Sequence, residues 1–280
     1  MRNTTTPNDE TLERWASRPA SRRRSEVPTE IRNALSDGWI ESKNLVEWLT
    51  VDRVRLLHGL LERLGLELDR EAVSRIQSVS GESALKQSWA ISRGLAERIR
   101  PGDAMYQILV QHSSDVVREW SALVVGCCEE LTFPKRLAWL KTQADDSNAG
   151  VREWAWMALR SHVAEDPERA VKALVPWTGS RNERLRRFAS EVTRPRGVWC
   201  AHIELLKRQP ELGLPLLEPL RSDASLYVRN SVANWLNDAS KSQPQWVAGM
   251  TQRWLEQSQT RETQSLVKRA RRTLDQASGE

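Results

Sequence analysis

The chain has 280 residues, 39% of them hydrophobic and 28% charged, which suits a large folded core and excludes a mainly disordered protein. The net charge of +5 is too small to identify a partner unless the basic residues gather on one face. No apolar run approaches the roughly 18 residues that a membrane span requires, so we expect no membrane association.

The two ends of the chain differ in composition from the rest. Residues 1–27 are polar and end in the basic run Arg22–Arg24, which predicts a flexible basic arm. Because this arm lacks the apolar core of a signal peptide, we predict a cytoplasmic protein. The periodic part of the chain predicts a single repeat domain over residues 28–275, followed by a disordered tail over 276–280.

Helical spacing begins at Pro28. The first pattern predicts a short helix that ends at Gly38, and the second is a leucine stripe between Leu45 and Leu64 with steps of three and four residues. Alternating patterns of the β type are absent, and Pro and Gly lie between the periodic segments. The sequence therefore predicts helices throughout.

An internal repeat covers the second half of the chain. Its unit is an apolar residue followed by a basic one near the start of an apolar helix. The five copies are Val117-Arg118, Val151-Arg152, Leu185-Arg186, Val228-Arg229 and Val267-Lys268. The first two steps are both 34 residues, and each copy follows another helical segment. Two helices per unit at this period predict an all-α, HEAT-like repeat α-solenoid with a basic concave face.

Basic residues of the repeat would form a ladder along the concave side. The ladder consists of Arg118, Arg152, Arg186 or Arg187, Arg229 and Lys268. A denser cluster of six arginines lies between residues 181 and 196 and includes Arg194 and Arg196. Clustered cations suit phosphates, because each neutralised phosphate releases condensed counterions.

Two other interpretations of the ladder stay open. Each arginine could instead pair with an aspartate of a neighbouring turn, for which Asp115, Asp146 and Asp223 are available. An acidic protein partner would also suit such a surface, because α-solenoids commonly serve as protein-interaction scaffolds.

Two long stretches of unusual sequence carry a resemblance to a known family. One runs from Arg187 through Thr193-Arg194-Pro195-Arg196 to Trp199, and the other runs from Ser225 to Pro244. Both resemble signatures of the bacterial DNA alkylation repair proteins of the AlkD and AlkC type, and the AlkC-like branch in particular. The resemblance covers roughly residues 22–275.

The resemblance implies a HEAT-like fold that clasps duplex DNA and a DNA N-glycosylase activity on cationic alkylpurines such as 3-methyladenine. Such proteins place a tryptophan and a carboxylate beside the deoxyribose, without a deep pocket for a flipped base. Both groups stabilise the positive charge that develops on the sugar as the glycosidic bond breaks. The implied partner is duplex DNA carrying alkylated bases. We expect a monomer in the bacterial cytoplasm, which is at the nucleoid when it is bound to DNA.

The resemblance implies four catalytic candidates by position, namely Trp199, Glu191, Glu153 and Trp156. Trp199 lies where the family has a sugar-facing aromatic residue, although a plug between repeats is an equally good interpretation. Glu191 lies at an acidic position of the first signature, although a salt bridge to a neighbouring arginine, Arg187 or Arg194, would also explain it.

The 151–160 helix departs from the family pattern. The carboxylate expected near its middle is replaced by Trp156, and Glu153 lies nearly one turn earlier. Glu153 would substitute for that carboxylate if it points in the same direction. The alternative is a non-catalytic binder of damaged or branched DNA.

The DNA-binding candidates are basic residues of the repeat and of the two signatures. They are Arg118, Arg152, Arg186, Arg187, Arg194, Arg196, Arg229, Lys241 and Lys268. For Lys241, a structural role in the turn after Asn237 and Asp238 is the favoured interpretation. The four histidines and three cysteines lack metal-ligand spacing, and no glycine-rich phosphate loop occurs, so we expect no metal and no organic cofactor.

Overall fold

A computed structural model of the protein describes residues 6–277, and all regular secondary structure in that range is helical. The all-α prediction is confirmed. The first five residues of the predicted arm, 1–5, and the last three of the predicted tail, 278–280, lie outside the described residues.

Eight α-helices precede Leu131 in the described part of the chain. They are α1 (Asp9–Ser17), α2 (Thr29–Ser36), α3 (Leu45–Trp48), α4 (Arg53–Leu64), α5 (Arg70–Ser78), α6 (Ala84–Ala96), α7 (Ala104–Val110) and α8 (Asp115–Cys127). A short 3₁₀ helix, Arg24–Glu26, lies between α1 and α2.

Ten α-helices follow. They are α9 (Phe133–Ala144), α10 (Ala149–Glu165), α11 (Pro167–Thr178), α12 (Glu183–Glu191), α13 (Glu204–Arg208), α14 (Leu214–Leu217), α15 (Leu226–Ser240), α16 (Pro244–Gln257), α17 (Arg261–Ala270) and α18 (Arg272–Ala277). The 3₁₀ helices Pro210–Gly213 and Glu218–Leu220 flank α14.

Short polar side chains fix where the helices begin. The carboxylates of Asp52, Asp69 and Asp166 accept hydrogen bonds from backbone N–H groups three residues later, at 2.7–3.0 Å. Each bond satisfies one of the N–H groups that a first turn leaves without a helical partner. At the other end of α4, Gly65 adopts φ 59°, a left-handed conformation that glycine accepts without steric cost.

The described chain forms two compact units. The first comprises the chain up to Leu131 together with Asp146–Ala155, and the second comprises Thr132–Asp145 and the chain from Trp156 onward. The boundary falls inside α10, whereas the sequence predicts one repeat domain over 28–275.

Each unit has its own apolar core built by neighbouring helices. In the first unit α8 packs against α6 and α7, and the side chains of Val117, Trp120 and Leu123 are fully buried. In the second unit α15 packs against α12, α16 and α17, around the fully buried Trp235 and Trp254. Tryptophan therefore serves mainly as core material in this chain.

The predicted flexible arm has regular structure in its described part. Helix α1 lies within it, and the guanidinium of Arg18 donates to Glu47, whose side chain is fully buried, at 2.5 Å. Arg18 also donates to the backbone oxygen of Glu41 at 2.9 Å. A charge buried without a counter-ion is costly, so the Glu47 carboxylate holds this segment against the rest of the first unit.

The helices reveal the register of the repeat. The fourth residue is an arginine in α8, α10, α12 and α15, namely Arg118, Arg152, Arg186 and Arg229, but it is Gln264 in α17. Lys268 lies four residues further along α17 and is exposed. The predicted ladder therefore needs a correction at its last position, because the apolar–basic pair at Val267-Lys268 is one helical turn out of register.

Candidate nucleic-acid interface

The four arginines in register make the same main-chain contacts. In each case Nη1 donates to the carbonyl oxygens of the residues six and five positions earlier, at distances of 2.7–3.2 Å. These carbonyls belong to the turn that leads into the helix. Each guanidinium therefore stabilises its own inter-helix turn and is held in a fixed orientation by it.

Two of these arginines are also neutralised by aspartates. Arg118 donates through Nε to Asp146 at 2.8 Å, and it further contacts Glu41 at 2.6 Å. Arg186 donates through Nε and Nη2 to Asp223 at 2.6 and 2.9 Å, and this hydrogen-bonded carboxylate raises the pKa of Arg186. For Arg118 and Arg186 the structure thus realises the ion-pair interpretation that the sequence left open. Asp115 behaves differently, because it accepts from Ser42 instead.

Glu191 lies at the centre of a buried polar network in the second unit. Its side chain is 5% exposed and contacts Arg194 at 2.7 Å, Arg187 at 3.6 Å and the hydroxyl of Ser231 at 2.6 Å. Burial acts to raise the pKa of Glu191, but Arg187 and Arg194 together hold it below its usual value. All of these contacts favour the salt-bridge interpretation of Glu191.

The same network and its surroundings account for three of the basic candidates. Arg194 also donates to Asp238 at 2.9 Å, and Lys241 approaches Asp238 at 3.8 Å. Arg187 lies over the ring of Tyr227, with its central carbon 4.6 Å from the ring centroid. Much of the arginine cluster between residues 181 and 196 therefore neutralises acids of its own unit.

The segment between α12 and α13 is rigid at its base. The buried Arg160 donates to the backbone oxygens of Val192 at 2.8 Å and Ala201 at 3.2 Å, which ties the two sides of the segment together. The backbone N–H of Ile203 also donates to the oxygen of Pro195 at 3.0 Å. These bonds fix the ends of a loop whose tip is Gly197–Cys200.

The tip of this loop is apolar and exposed. Val198 is 54% exposed and Trp199 is 64% exposed, the largest exposed fraction among the described large hydrophobic residues. Trp199 has φ 60°, and it is the one described residue other than glycine with positive φ. Non-glycine residues adopt this conformation at a steric cost, which is typically tolerated at functional sites. The plug interpretation of Trp199 does not fit this exposure.

Basic side chains flank the tip. Arg196 donates through Nη2 to the hydroxyl of Ser242 at 2.7 Å and is partly exposed, and the imidazole of His202 is exposed. An aromatic ring beside a guanidinium is a combination that suits a nucleic-acid strand, because the ring packs on sugar or base while the cation faces a phosphate.

Helix α10 presents the other catalytic candidates with unequal exposure. Trp156 is 4% exposed, so its ring belongs to the interior, whereas Arg152 and Glu153 are half-buried. In the first unit, Trp154 packs against Trp48 with ring centroids 5.8 Å apart. The two carboxylates proposed for catalysis are Glu153 and Glu191. Glu153 is the more accessible, because Glu191 is only 5% exposed.

A buried cluster behind Trp154 was not found by sequence reasoning. Glu119 is 1% exposed and accepts hydrogen bonds from Trp48 Nε1 at 2.7 Å and from Ser88 at 2.5 Å. The guanidinium of Arg53 lies 4.1 Å from the Trp48 ring and also contacts Ser88. Burial raises the pKa of Glu119 to about 8. In the sequence, Glu119 lies next to Trp120 in a helix of mainly apolar residues, and this pattern does not indicate a buried polar network.

Within residues 6–277 no helix is long and apolar enough to cross a membrane. In the same range no group of three or more His, Cys, Asp or Glu side chains is arranged to hold a metal ion.

The chain matches none of the known protein-family profiles. It is 42% identical over 117 residues to the uncharacterized protein YhaZ of Bacillus subtilis, a match that covers 42% of this chain and 32% of YhaZ.

Solved structures give a more extensive match. Alkylpurine DNA glycosylase AlkC of Pseudomonas fluorescens, bound to DNA containing an abasic site analog, superposes with a TM-score of 0.62 and 25% identity over 79% of this chain. The chain has the AlkC and AlkD fold. AlkD2 and smu.31, both from Streptococcus mutans, superpose with TM-scores of 0.55 and 0.54, each at 22% identity over 72% of this chain.

These matches confirm the AlkC and AlkD resemblance and the HEAT-like repeat fold that the sequence predicts. They cover 96% of each Streptococcus mutans protein but only 62% of AlkC, and the YhaZ match covers about a third of that protein. At these identities and coverages the similarity shows the fold of the chain.

Proposed function

We propose that this protein binds duplex DNA and hydrolyses the glycosidic bond of cationic alkylpurines such as 3-methyladenine. One observation carries the proposal. A chain with the AlkC fold presents an exposed tryptophan, Trp199, at φ 60° on a loop with a hydrogen-bonded base. The relative with that fold was solved on DNA containing an abasic site analog, which mimics the product of base removal.

The proposed role of Trp199 is to pack against the nucleotide that carries the lesion. Breaking the glycosidic bond develops positive charge on the deoxyribose, and the negative face of an indole ring stabilises a nearby cation. The hydrogen bonds at the base of the loop restrict the conformations of its tip, which would reduce the entropy lost when the ring docks.

For the carboxylate we propose Glu153. A carboxylate beside a deoxyribose stabilises the cation that develops there and orients the attacking water. Glu191 is poorly suited to this role, since its two oxygens already accept hydrogen bonds from Arg194 and Ser231 in a buried site. Glu153 is half-buried on α10, which leaves part of its side chain open to solvent.

A second candidate function is binding of damaged or branched DNA without catalysis. The specific observation behind it is Trp156, which occupies the position where the family resemblance predicts a carboxylate and is 4% exposed. If Glu153 does not replace that carboxylate, DNA binding would persist and base release would not.

The test is release of 3-methyladenine and 7-methylguanine from methylated duplex DNA, for wild type and for Glu153→Gln. Base release by wild type that falls by at least about tenfold in Glu153→Gln would support a glycosylase with this carboxylate, since such groups contribute at least about 100-fold in many enzymes. Salt-sensitive DNA binding without any base release would support the second candidate instead. Absence of both would contradict both proposals.

A further inference from the structure

Two buried acids of α8 bind the segment formed by residues 42–48. Asp115 and Glu119 are four residues apart and therefore lie on one face of the helix. Asp115 accepts hydrogen bonds from the backbone N–H of Ser42 at 3.1 Å and from its hydroxyl. Glu119 accepts a hydrogen bond from Trp48 Nε1 at 2.7 Å. Side chains of α8 thus hold both ends of the segment.

The two ends of this segment also contact α10. The backbone oxygen of Ser42 accepts from Asn148 Nδ2 at 3.1 Å, and Asn148 Oδ1 accepts from the backbone N–H of Gly150 at 2.8 Å. The ring of Trp48 packs against Trp154, with centroids 5.8 Å apart and planes inclined by 36°. Because Asn148 directly precedes α10 and Trp154 lies in its second turn, the segment contacts the helix at two points.

The orientation of the Trp48 ring is fixed by further buried side chains. The central carbon of the Arg53 guanidinium lies 4.1 Å from the ring centroid, which places a cation over the indole. The hydroxyl of Ser88 donates to Glu119 at 2.5 Å and accepts from Arg53 Nε at 3.2 Å. An indole with a hydrogen bond at its N–H and a cation over its ring is restricted in orientation, so its contact with Trp154 is restricted as well.

The proposed catalytic carboxylate lies between the two points of contact on α10. Glu153 directly precedes Trp154, and both belong to the part of α10 that is in the first unit, Asp146–Ala155. Successive residues of an α-helix are about 100° apart, so a buried Trp154 directs Glu153 to the side, where it is half-buried. A displacement of about 1 Å at a catalytic group can lower a rate about 100-fold. Whatever fixes Trp154 therefore also fixes where Glu153 lies.

We propose that Ser42 and Trp48 are positioning residues for Glu153. They hold the first two turns of α10 at a fixed position against α8, through a clamp that consists of Ser42, Trp48, Asn148 and Trp154. The clamp is a property of the first unit alone. Its importance for catalysis rests on the proposed function, because that function assigns the carboxylate to Glu153.

The first measurement is amide hydrogen exchange of residues 149–155, which reports on the clamp without any need for catalysis. Trp48→Leu removes the indole donor and the ring contact, and exchange in this range should become about tenfold faster. Trp48→Phe keeps a ring against Trp154 and should restore part of the protection. Asn148→Ser keeps an oxygen for the N–H of Gly150 but loses the donor to Ser42, and it creates no cavity in the core. It should also speed exchange.

The second measurement is the single-turnover rate of base release from methylated duplex DNA, with DNA affinity measured separately. Trp48→Leu should lower the rate by about tenfold to 100-fold and leave the affinity almost unchanged, because the carboxylate acts on the transition state. In a Glu153→Gln background the same change should have no further effect, because both substitutions remove one contribution. Leu60→Ala is the matched control, since Leu60 is buried in α4 of the same unit but is not part of the clamp. It should leave the rate and the exchange of residues 149–155 unchanged.

The outcomes separate the clamp from the proposed function. Faster exchange in Trp48→Leu and Asn148→Ser without base release by wild type would support the clamp and contradict the proposed function. Unchanged exchange of residues 149–155 in both variants would overturn the clamp. Rate losses of Trp48→Leu and Glu153→Gln that multiply in the double variant would overturn the positioning role, because independent groups give independent effects.

Discussion

The base and the tip of the α12–α13 connection lie within one sequence signature but have opposite physical character. At the base, Glu191, Arg194 and Asp238 form a buried, mutually neutralised network. At the tip, Val198 and Trp199 are exposed, and the Trp199 backbone is strained. The comparison teaches that the charged residues of the signature build the support, whereas its exposed part is apolar.

The largest effect on stability is expected at the base. Replacing Glu191 with Ala leaves Arg187 and Arg194 without their shared counter-ion, and such a loss typically costs about 3–5 kcal/mol. We expect the free energy of unfolding, measured by urea denaturation, to fall by that amount. Glu204→Ala is the control, because Glu204 pairs with Lys207 at the surface and should leave stability almost unchanged. Equal stability of the two variants would contradict the structural role of Glu191.

A second buried acid sharpens the contrast with Glu191. The pKa of Glu119 is raised to about 8 by burial, although Arg53 and hydrogen bonds from Ser88 and Trp48 oppose the shift, whereas the pKa of Glu191 is lowered. The folded state therefore binds a proton at Glu119 more tightly than the unfolded state does. Its contribution to stability is complete below pH 4.5 and is lost as the pH rises to about 8.

The check compares wild type with Glu119→Gln, which has no charge to titrate. The difference in unfolding free energy, wild type minus variant, should decrease between pH 4.5 and pH 8. Arg53 and Asp115, which also act on the pKa of Glu119, are present in both proteins. A difference that is constant over this pH range would contradict the raised pKa.

The smallest effect on stability is expected at the tip. Replacing Trp199 with Gly relieves a left-handed conformation that costs about 1–2 kcal/mol but adds about 0.5–1 kcal/mol of chain flexibility. The net change in unfolding free energy should be under about 1 kcal/mol. By contrast, Trp235→Ala removes a fully buried indole and should cost about 3–5 kcal/mol. A large loss in Trp199→Gly would mean that this ring has a structural role.

The sequence predicted the helical repeat well because periodic apolar residues report burial directly. The end of the first predicted helix near Gly38 follows from local spacing alone, as do the helices that begin shortly before Arg118 and Arg152. An apolar–basic pair is a short pattern, and in α17 it occurs one helical turn later than in the other repeat helices. The register of the ladder is set by the turn before each helix. The pair alone therefore assigned Lys268 to the ladder incorrectly.

The candidate site was less predictable, since its character depends on partners distant in sequence. Arg186 is neutralised by Asp223, 37 residues away, and no local pattern distinguishes it from Arg229, which has no such partner. Exposure of Trp199 depends on a backbone conformation that is unfavourable for tryptophan, so propensity could not indicate it. The salt bridges of Glu191 were predicted correctly, because Arg187 and Arg194 are only four and three residues away from it, respectively.

The central claim is that the exposed Trp199 ring acts on the lesion nucleotide, and its most direct test is a rate of base release. The release of 3-methyladenine from methylated duplex DNA should be compared between wild type, Trp199→Ala and the control Val198→Ala at the same tip. The account predicts release by wild type, a loss of at least about tenfold in Trp199→Ala and little change in Val198→Ala. No release by wild type, or equal release by all three proteins, would contradict it.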